Sequence, residues 1–337
     1  MKRAWLGLAG LAVVALHPAG AWEINPTENR DEQGDRVGVI PFDPLHETIT
    51  WNALDCALDD GLSRDADGLK LCPVLSFAER AREPGNDDSP LIRGVWWNDD
   101  PEQLLNSVNY PRFALNMARA ERDARSPGEI TSASRMQYRS HYGDLQFLHA
   151  MATADGEPAG ETRRKMLDWL EFAYAVASGR LDPALTLGAI DMATPREFFA
   201  GQAHWTVVRL FNPRESLGED VLPDHALGSM LHVIEDSFAA GHTGRNAAAA
   251  PFCPFGTVLQ FHAYQSEDSD KHAAADAREA LVAADPRLVP VVARMIELQR
   301  ARADWDAEVR PFLEQVFCLD EASQPAGPGE CAKGASA

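Results

Sequence analysis

Along most of this chain, apolar residues recur every three or four positions and almost nowhere every second one. That spacing buries one stripe of a helix and cannot line one face of a strand. It predicts helices over Pro101–Arg125, Tyr138–Ala154, Glu161–Ser178, Pro195–Phe211, Pro223–Ala240, Asp268–Ala284 and Pro290–Phe317. An earlier helix over Leu45–Leu58 is opened by Asp43 as cap and Pro44 in the first turn. Leu62–Gly68, Arg82–Pro90 and Asn246–Gly256 collect Pro, Gly and Asp and read as loops. The expected fold class is all-α, with little sheet. No linker or internal repeat interrupts the helical segments, so one multi-helix domain is expected.

The first 21 residues have the make-up of a secretory signal peptide. Lys2 and Arg3 precede the apolar run Ala4–Leu16, then Pro18 and the small-residue site Ala19-Gly20-Ala21. Cleavage there leaves Trp22 first, a domain over 22–321, and a Gly/Ala/Ser/Pro-rich tail over 322–337 expected to be disordered. The expected location is secreted or periplasmic. No cysteine follows the cleavage site to carry a lipid anchor, and no later segment is long and apolar enough to span a bilayer. The net charge of −20 becomes −22 when Lys2 and Arg3 are removed. Such a surface repels nucleic acid and anionic membranes at long range, which argues against stable nucleic-acid binding. Of five cysteines, Cys56 and Cys72 form the natural local pair, and Cys253 with Cys318 the next. Cys331 is left over in the tail. No CxxC spacing marks any of them as a zinc ligand.

Chemistry concentrates in His232-Val-Ile-Glu-Asp236-Ser-Phe-Ala-Ala-Gly-His242. Leu227, Met230, Leu231, Ile234 and Phe238 make the surrounding segment helical. His232 and Asp236, four apart, then share one face. His242 follows at the helix end. A second pair with the same spacing, His272 and Asp276, has only alanines between its members. One such pair alone is an ordinary surface hydrogen bond. Two pairs plus His242 in an exported chain point to bound divalent metal.

The central motif resembles that of the zinc-dependent phospholipase C and single-strand nuclease superfamily, whose members are mostly helical and bind three zinc ions. Their first mature residue is a Trp that ligates zinc through its own amino and carbonyl groups, which the signal cleavage independently places at Trp22. Matching the family's other motifs implies His46 in Leu45-His46-Glu47-Thr48, Asp99 rather than Asp100 in Trp96-Trp97-Asn98-Asp99, and His141 in His141-Tyr142-Gly143-Asp144. His149 stands close behind His141 as an alternative. By the resemblance, Asp236 bridges two zincs, with Trp22 and His46 completing one and Asp99, His141 and His232 the other. His242, His272 and Asp276 hold the third. Asp99 also orients the attacking water. The Asp99–His141 and His242–His272 separations are longer than the family usually shows, which marks a divergent branch.

The implied function is zinc-dependent phosphodiester hydrolysis of a small-molecule or lipid substrate, phospholipase C-like. A single-strand nuclease or nucleotidase on the same three zincs is the alternative, and a secreted metal-binding protein without turnover is the reading from another class. Ser63–Gly68 faintly resembles a calcium loop but lacks its closing Glu, since position 74 is Val. His204, His225 and His262 read as core or surface residues. Glu267, Asp268 and Asp270 read as a solvated loop, though one of them could replace Asp276. Trp96, Trp97, Trp169, Phe198 and Phe199 read as core.

Overall fold

A computed structural model describes residues 24, 43–77, 89–104, 110–124, 130–213, 218–248, 250 and 252–334. Twelve α-helices stand among them: α1 (Leu45–Leu58), α2 (Pro90–Trp96), α3 (Tyr110–Ala124), α4 (Met136–Tyr142), α5 (Ala159–Ala177), α6 (Ala193–Phe198), α7 (Val207–Phe211), α8 (Leu222–Asp236), α9 (Ser269–Ala275), α10 (Arg278–Val282), α11 (Leu288–Arg300) and α12 (Arg310–Val316). The only sheet among the described residues is an antiparallel ribbon of β1 (Thr243–Asn246) and β2 (Thr257–Phe261). The chain is mostly helical, as the apolar spacing requires. No described helix is long and apolar enough to cross a membrane.

Helix α8 is the axis of the molecule. Pro223 sits in its first turn, where a missing N–H costs nothing. From His225 to Asp236 every residue is buried, as expected of a helix with neighbours all round. α1, α2, α5 and α11 pack about it. The α2–α8 crossing is unusually close because Gly94 faces the His225 backbone and Gly228 faces Leu91 and Val95. A Cβ on Gly228 would lie 2.4 Å from the Leu91 carbonyl oxygen, and one on Gly94 2.3 Å from that of His225. This crossing carries the residues after α2 up against His232. One core cluster extends from Leu45 to Ala326, with Trp97 stacked on Trp169 at 5.3 Å. A smaller cluster joins Ile24, Ile92, Trp96, Phe113, Met117 and Tyr142.

The helix over Leu45–Leu58 matches its expected bounds, although the cap falls on Pro44 and no side chain caps it. Longer expected helices are broken. Tyr138–Ala154 becomes α4 and a 3₁₀ turn over Gln146–His149, and Asp268–Ala284 divides at Asp276 into α9 and α10. Pro290–Phe317 is interrupted after Arg300, with Arg302 at φ 49°. Cys56–Cys72 and Cys253–Cys318 are both disulfides.

The expected disordered tail is corrected over residues 322–334, which are packed. Gln324 N donates to Leu259 O at 2.7 Å, Ala326 N to Glu157 O at 2.8 Å, and Ala263 N to Gly327 O at 3.0 Å. Backbone hydrogen bonds hold this segment rather than large apolar side chains, which is why composition alone does not reveal it.

Candidate metal centre

Five separated stretches of chain bring the candidate side chains together. α8 supplies His232 and Asp236 from successive turns of one face. His232 Nδ1 donates to the Val95 carbonyl at 2.8 Å, which keeps the lone pair of Nε2 directed at Asp236 Oδ2, 3.0 Å away. α1 lays the His46 ring on that of His232, with centroids 4.0 Å apart and planes 17° apart. His46 Nε2 then lies 3.2 Å from Asp236 Oδ1, while its Nδ1 lies 2.5 Å from Glu235 Oε2. Thr50 Oγ1 donates to the other Glu235 oxygen at 2.8 Å. A carboxylate behind a ligating imidazole fixes its orientation and raises its basicity. Glu235 is therefore a positioning residue that sequence reasoning missed; its signal was the three-residue spacing from His232.

Asp99 enters from the turn after α2. Its neighbour Asp100 instead accepts from Leu104 N at 2.7 Å, so Asp100 caps the turn and Asp99 is the one turned to the histidines. Asp99 Oδ1 lies 3.6 Å from His141 Nε2 and 4.0 Å from His149 Nδ1. Both histidines thus reach the site, but their ranking changes. His149 Nδ1 is 3.0 Å from His232 Nε2 and 3.1 Å from Asp236 Oδ2, so His149 and not His141 forms the tight group with Asp99 and His232. His141 stands beside it, its Nδ1 donating to Gln137 O at 2.9 Å. The 3₁₀ turn between α4 and α5 swings His149 inward, a bend that helical spacing does not register.

The third group joins His242, His272 and Asp276. His272 Nε2 is 3.0 Å and His242 Nε2 3.7 Å from Asp276 Oδ2. The helix breaks where it does because Asp276 is the C-cap of α9. His242 Nδ1 donates to His149 O at 2.5 Å and lies 3.6 Å from Asp236 Oδ2, which ties this group to the first two. Trp22 lies outside the described residues.

Among the described residues, several His/Asp/Glu groups can hold a metal ion: His46–His232–Asp236, Asp99–His149–His232 and His242–His272–Asp276 are three of them, all buried. The donor set fits a divalent ion. Ligand atoms held about 2.0–2.1 Å from one tetrahedral zinc stand roughly 3.3 Å from each other, close to the spacings here. Asp236 Oδ1, His149 Nε2, His242 Nε2 and both Asp276 oxygens are buried without a hydrogen bond. Such groups are costly inside a protein unless a cation meets them.

Electrostatics agree. Burial works against ionising Asp99, but its electrostatic interaction with His232 and a hydrogen bond from His141 outweigh it and hold the carboxyl at about 2. Asp236 is held well below its ordinary value, burial again being outweighed by His232, His242 and His46. Burial lowers His149 to about 4, leaving it neutral and able to ligate. Burial also opposes protonation of His46 and His242, yet Asp236 beside both raises them. The carboxylate charge that favours protons there equally favours a divalent cation, which displaces those protons on binding.

Other residues fall as expected or move. His225 is a core residue lowered to about 4 by burial, and His204 is exposed. Trp96 Nε1 donates to Glu47 Oε1 at 2.6 Å and Trp97 Nε1 to Leu210 O at 3.0 Å, both inside the core. His262 is buried, as a core residue would be, whereas the solvated-loop reading of Glu267 is corrected: it is buried, and its Oε2 lies 2.6 Å from His272 Nδ1. No family model matches the chain, and no curated protein or solved structure is significantly similar to it.

Proposed function

We propose that this chain is an exported, zinc-dependent phosphoric ester hydrolase of the phospholipase C and single-strand nuclease type, acting on a lipid or small-molecule phosphodiester. The observation that carries the reading is the sharing of Asp236. Its two oxygens face His46, His149, His232 and His242 from three stretches of chain, so three ligand groups abut through one carboxylate. Two disulfides support export.

Zinc ions held by these residues would supply Lewis acidity, a more acidic water and positive charge for a phosphoryl group in the transition state. The chain's own side chains do the rest. Asp99, ionised at neutral pH, is the carboxylate placed to take a proton from the attacking water, with His141 and His149 on either side to hold its orientation. Glu235 and the Val95 carbonyl lock the rings of His46 and His232. The acidic surface favours a small or lipid phosphodiester over a single-stranded polyanion, which needs a basic track.

The test is turnover of phosphatidylcholine and of single-stranded DNA by the secreted protein, before and after chelation and zinc restoration. Chelator-sensitive release of a phosphorylated head group supports the reading. Zinc binding with no turnover of either substrate would instead leave a metal-binding protein.

A further inference from the structure

A fourth group of side chains lies beyond the three already described. His262 directly follows β2, Glu267 precedes α9, and Cys331 comes from the packed C-terminal segment. They are 1%, 3% and 2% exposed, and each offers a ligand atom within 4.8 Å of the other two. Cys331 is the free cysteine of the chain.

Glu267 lies fully buried at the centre of the group. Its Oε2 pairs with His272 Nδ1 at 2.6 Å, while Oε1, 3.6 Å from His262 Nδ1, has no hydrogen bond of its own. A buried carboxylate oxygen in that state favours a nearby cation. His262 Nδ1 donates to the Gly241 carbonyl at 2.9 Å, which fixes the ring beside Glu267 and leaves Nε2 as its acceptor nitrogen.

The backbone brings the sulfur in deliberately. Asp268 N donates to Cys331 O at 2.7 Å, and Cys331 N to Pro328 O at 3.0 Å. Gly329, at φ 51°, lies flat on the imidazole, where a Cβ would come within 2.0 Å of His262 Nε2. A cleft of about 160 Å³ borders this group, its lining including Glu121, Glu267, Asp268 and Asp270 together with Lys333.

We infer that His262, Glu267 and Cys331 form a separate site for a thiophilic divalent cation, zinc foremost, with a thiolate among its ligands. Binding breaks the S–H bond, forms a metal–sulfur bond and releases the thiol proton to water. Thiolate, imidazole and carboxylate together suit zinc, whereas calcium and magnesium prefer oxygen alone. The site shares no ligand with the Asp236 centre but abuts it where Glu267 meets His272, so sulfur ligation, not metal count alone, distinguishes the two.

Cobalt(II) titration of the metal-stripped full chain tests this. Cobalt bound to thiolate gives an intense near-ultraviolet sulfur-to-metal band that nitrogen and oxygen ligands do not, and the disulfide cysteines cannot contribute to it. The expected result is a band that saturates at one equivalent, disappears in Cys331→Ser, and is matched by loss of one zinc equivalent in that variant. If Cys331→Ser does not fold, native-state alkylation of Cys331 in the wild type decides, with zinc expected to slow it at least tenfold. Cobalt binding without a sulfur band, or alkylation indifferent to zinc, overturns the inference. Three equivalents without the band would leave the hydrolase reading intact. The band with only one equivalent would support this site and remove the other.

Discussion

Asp236 concentrates the account in one side chain. It is buried, ionised and shared, so its loss should empty more than one group of ligands. Asp236→Ala is expected to cost at least two zinc equivalents and more than about 100-fold in turnover, beyond the ~10–100-fold typical of losing a group that only orients a ligand. Glu235→Gln tests that milder class: it leaves every ligand in place but removes the carboxylate behind His46. Zinc affinity should fall about 10–100-fold, measured by competition with a chromophoric chelator. At this scale the sequence was informative wherever ligands sit four apart on one helix, as His232 with Asp236 and His272 with Asp276. It was informative at Asp99 as well, where Asp100 is spent on capping. It placed His141 ahead of His149, an order the structure reverses because the choice depends on a 3₁₀ turn. It could not find Glu267 and Cys331, which meet only through the path of the C-terminal segment.

Elements set the position of those residues through close contacts. The α2–α8 crossing puts the Val95 carbonyl on His232, and it exists because Gly228 has no Cβ. Gly228→Ala should destabilise the fold by about 1–3 kcal/mol in denaturant unfolding, since backbone must move. It should also weaken zinc binding, as His232 loses its anchor. The ribbon after His242 is held by half-buried Arg245, which donates to the carbonyls of Ser237, Phe255 and Val316, and by Arg287, which donates to those of Pro254 and Ala247. Asp285 anchors Arg287. Burial pushes the Asp285 carboxyl up, but hydrogen bonds from Arg287 outweigh it and hold it below its ordinary value. A depressed carboxyl stabilises the fold above its unfolded pKa of about 3.9, and that stability is lost as pH falls through the lower folded value. Asp285→Asn should therefore destabilise the protein at neutral pH and flatten the acid limb of its stability curve, as read by thermal unfolding between pH 2 and pH 7 (roughly the range of carboxylate titration). Helix existence was legible from apolar spacing. Helix breaks were not, because Asp276 leaves its helix to meet histidines that are distant in sequence.

Across the whole molecule, a chain of net charge −20 buries His/Asp groups that could hold metal ions. That contrast suits a site whose positive charge comes from metal rather than from lysine and arginine. None of the four disulfide cysteines belongs to a candidate ligand group. Cys253–Cys318 closes a separation of 65 residues, for which loop-closure entropy suggests about 4 kcal/mol. Cys253→Ala/Cys318→Ala should lower stability by roughly that much in denaturant unfolding while zinc content stays constant. The most direct test of the central claim is elemental analysis of zinc in the secreted, correctly processed protein. Three ions at the Asp236 centre, or four with the thiolate site filled, is the predicted result. Fewer than three would contradict it, and these buried histidines and aspartates would then be structural.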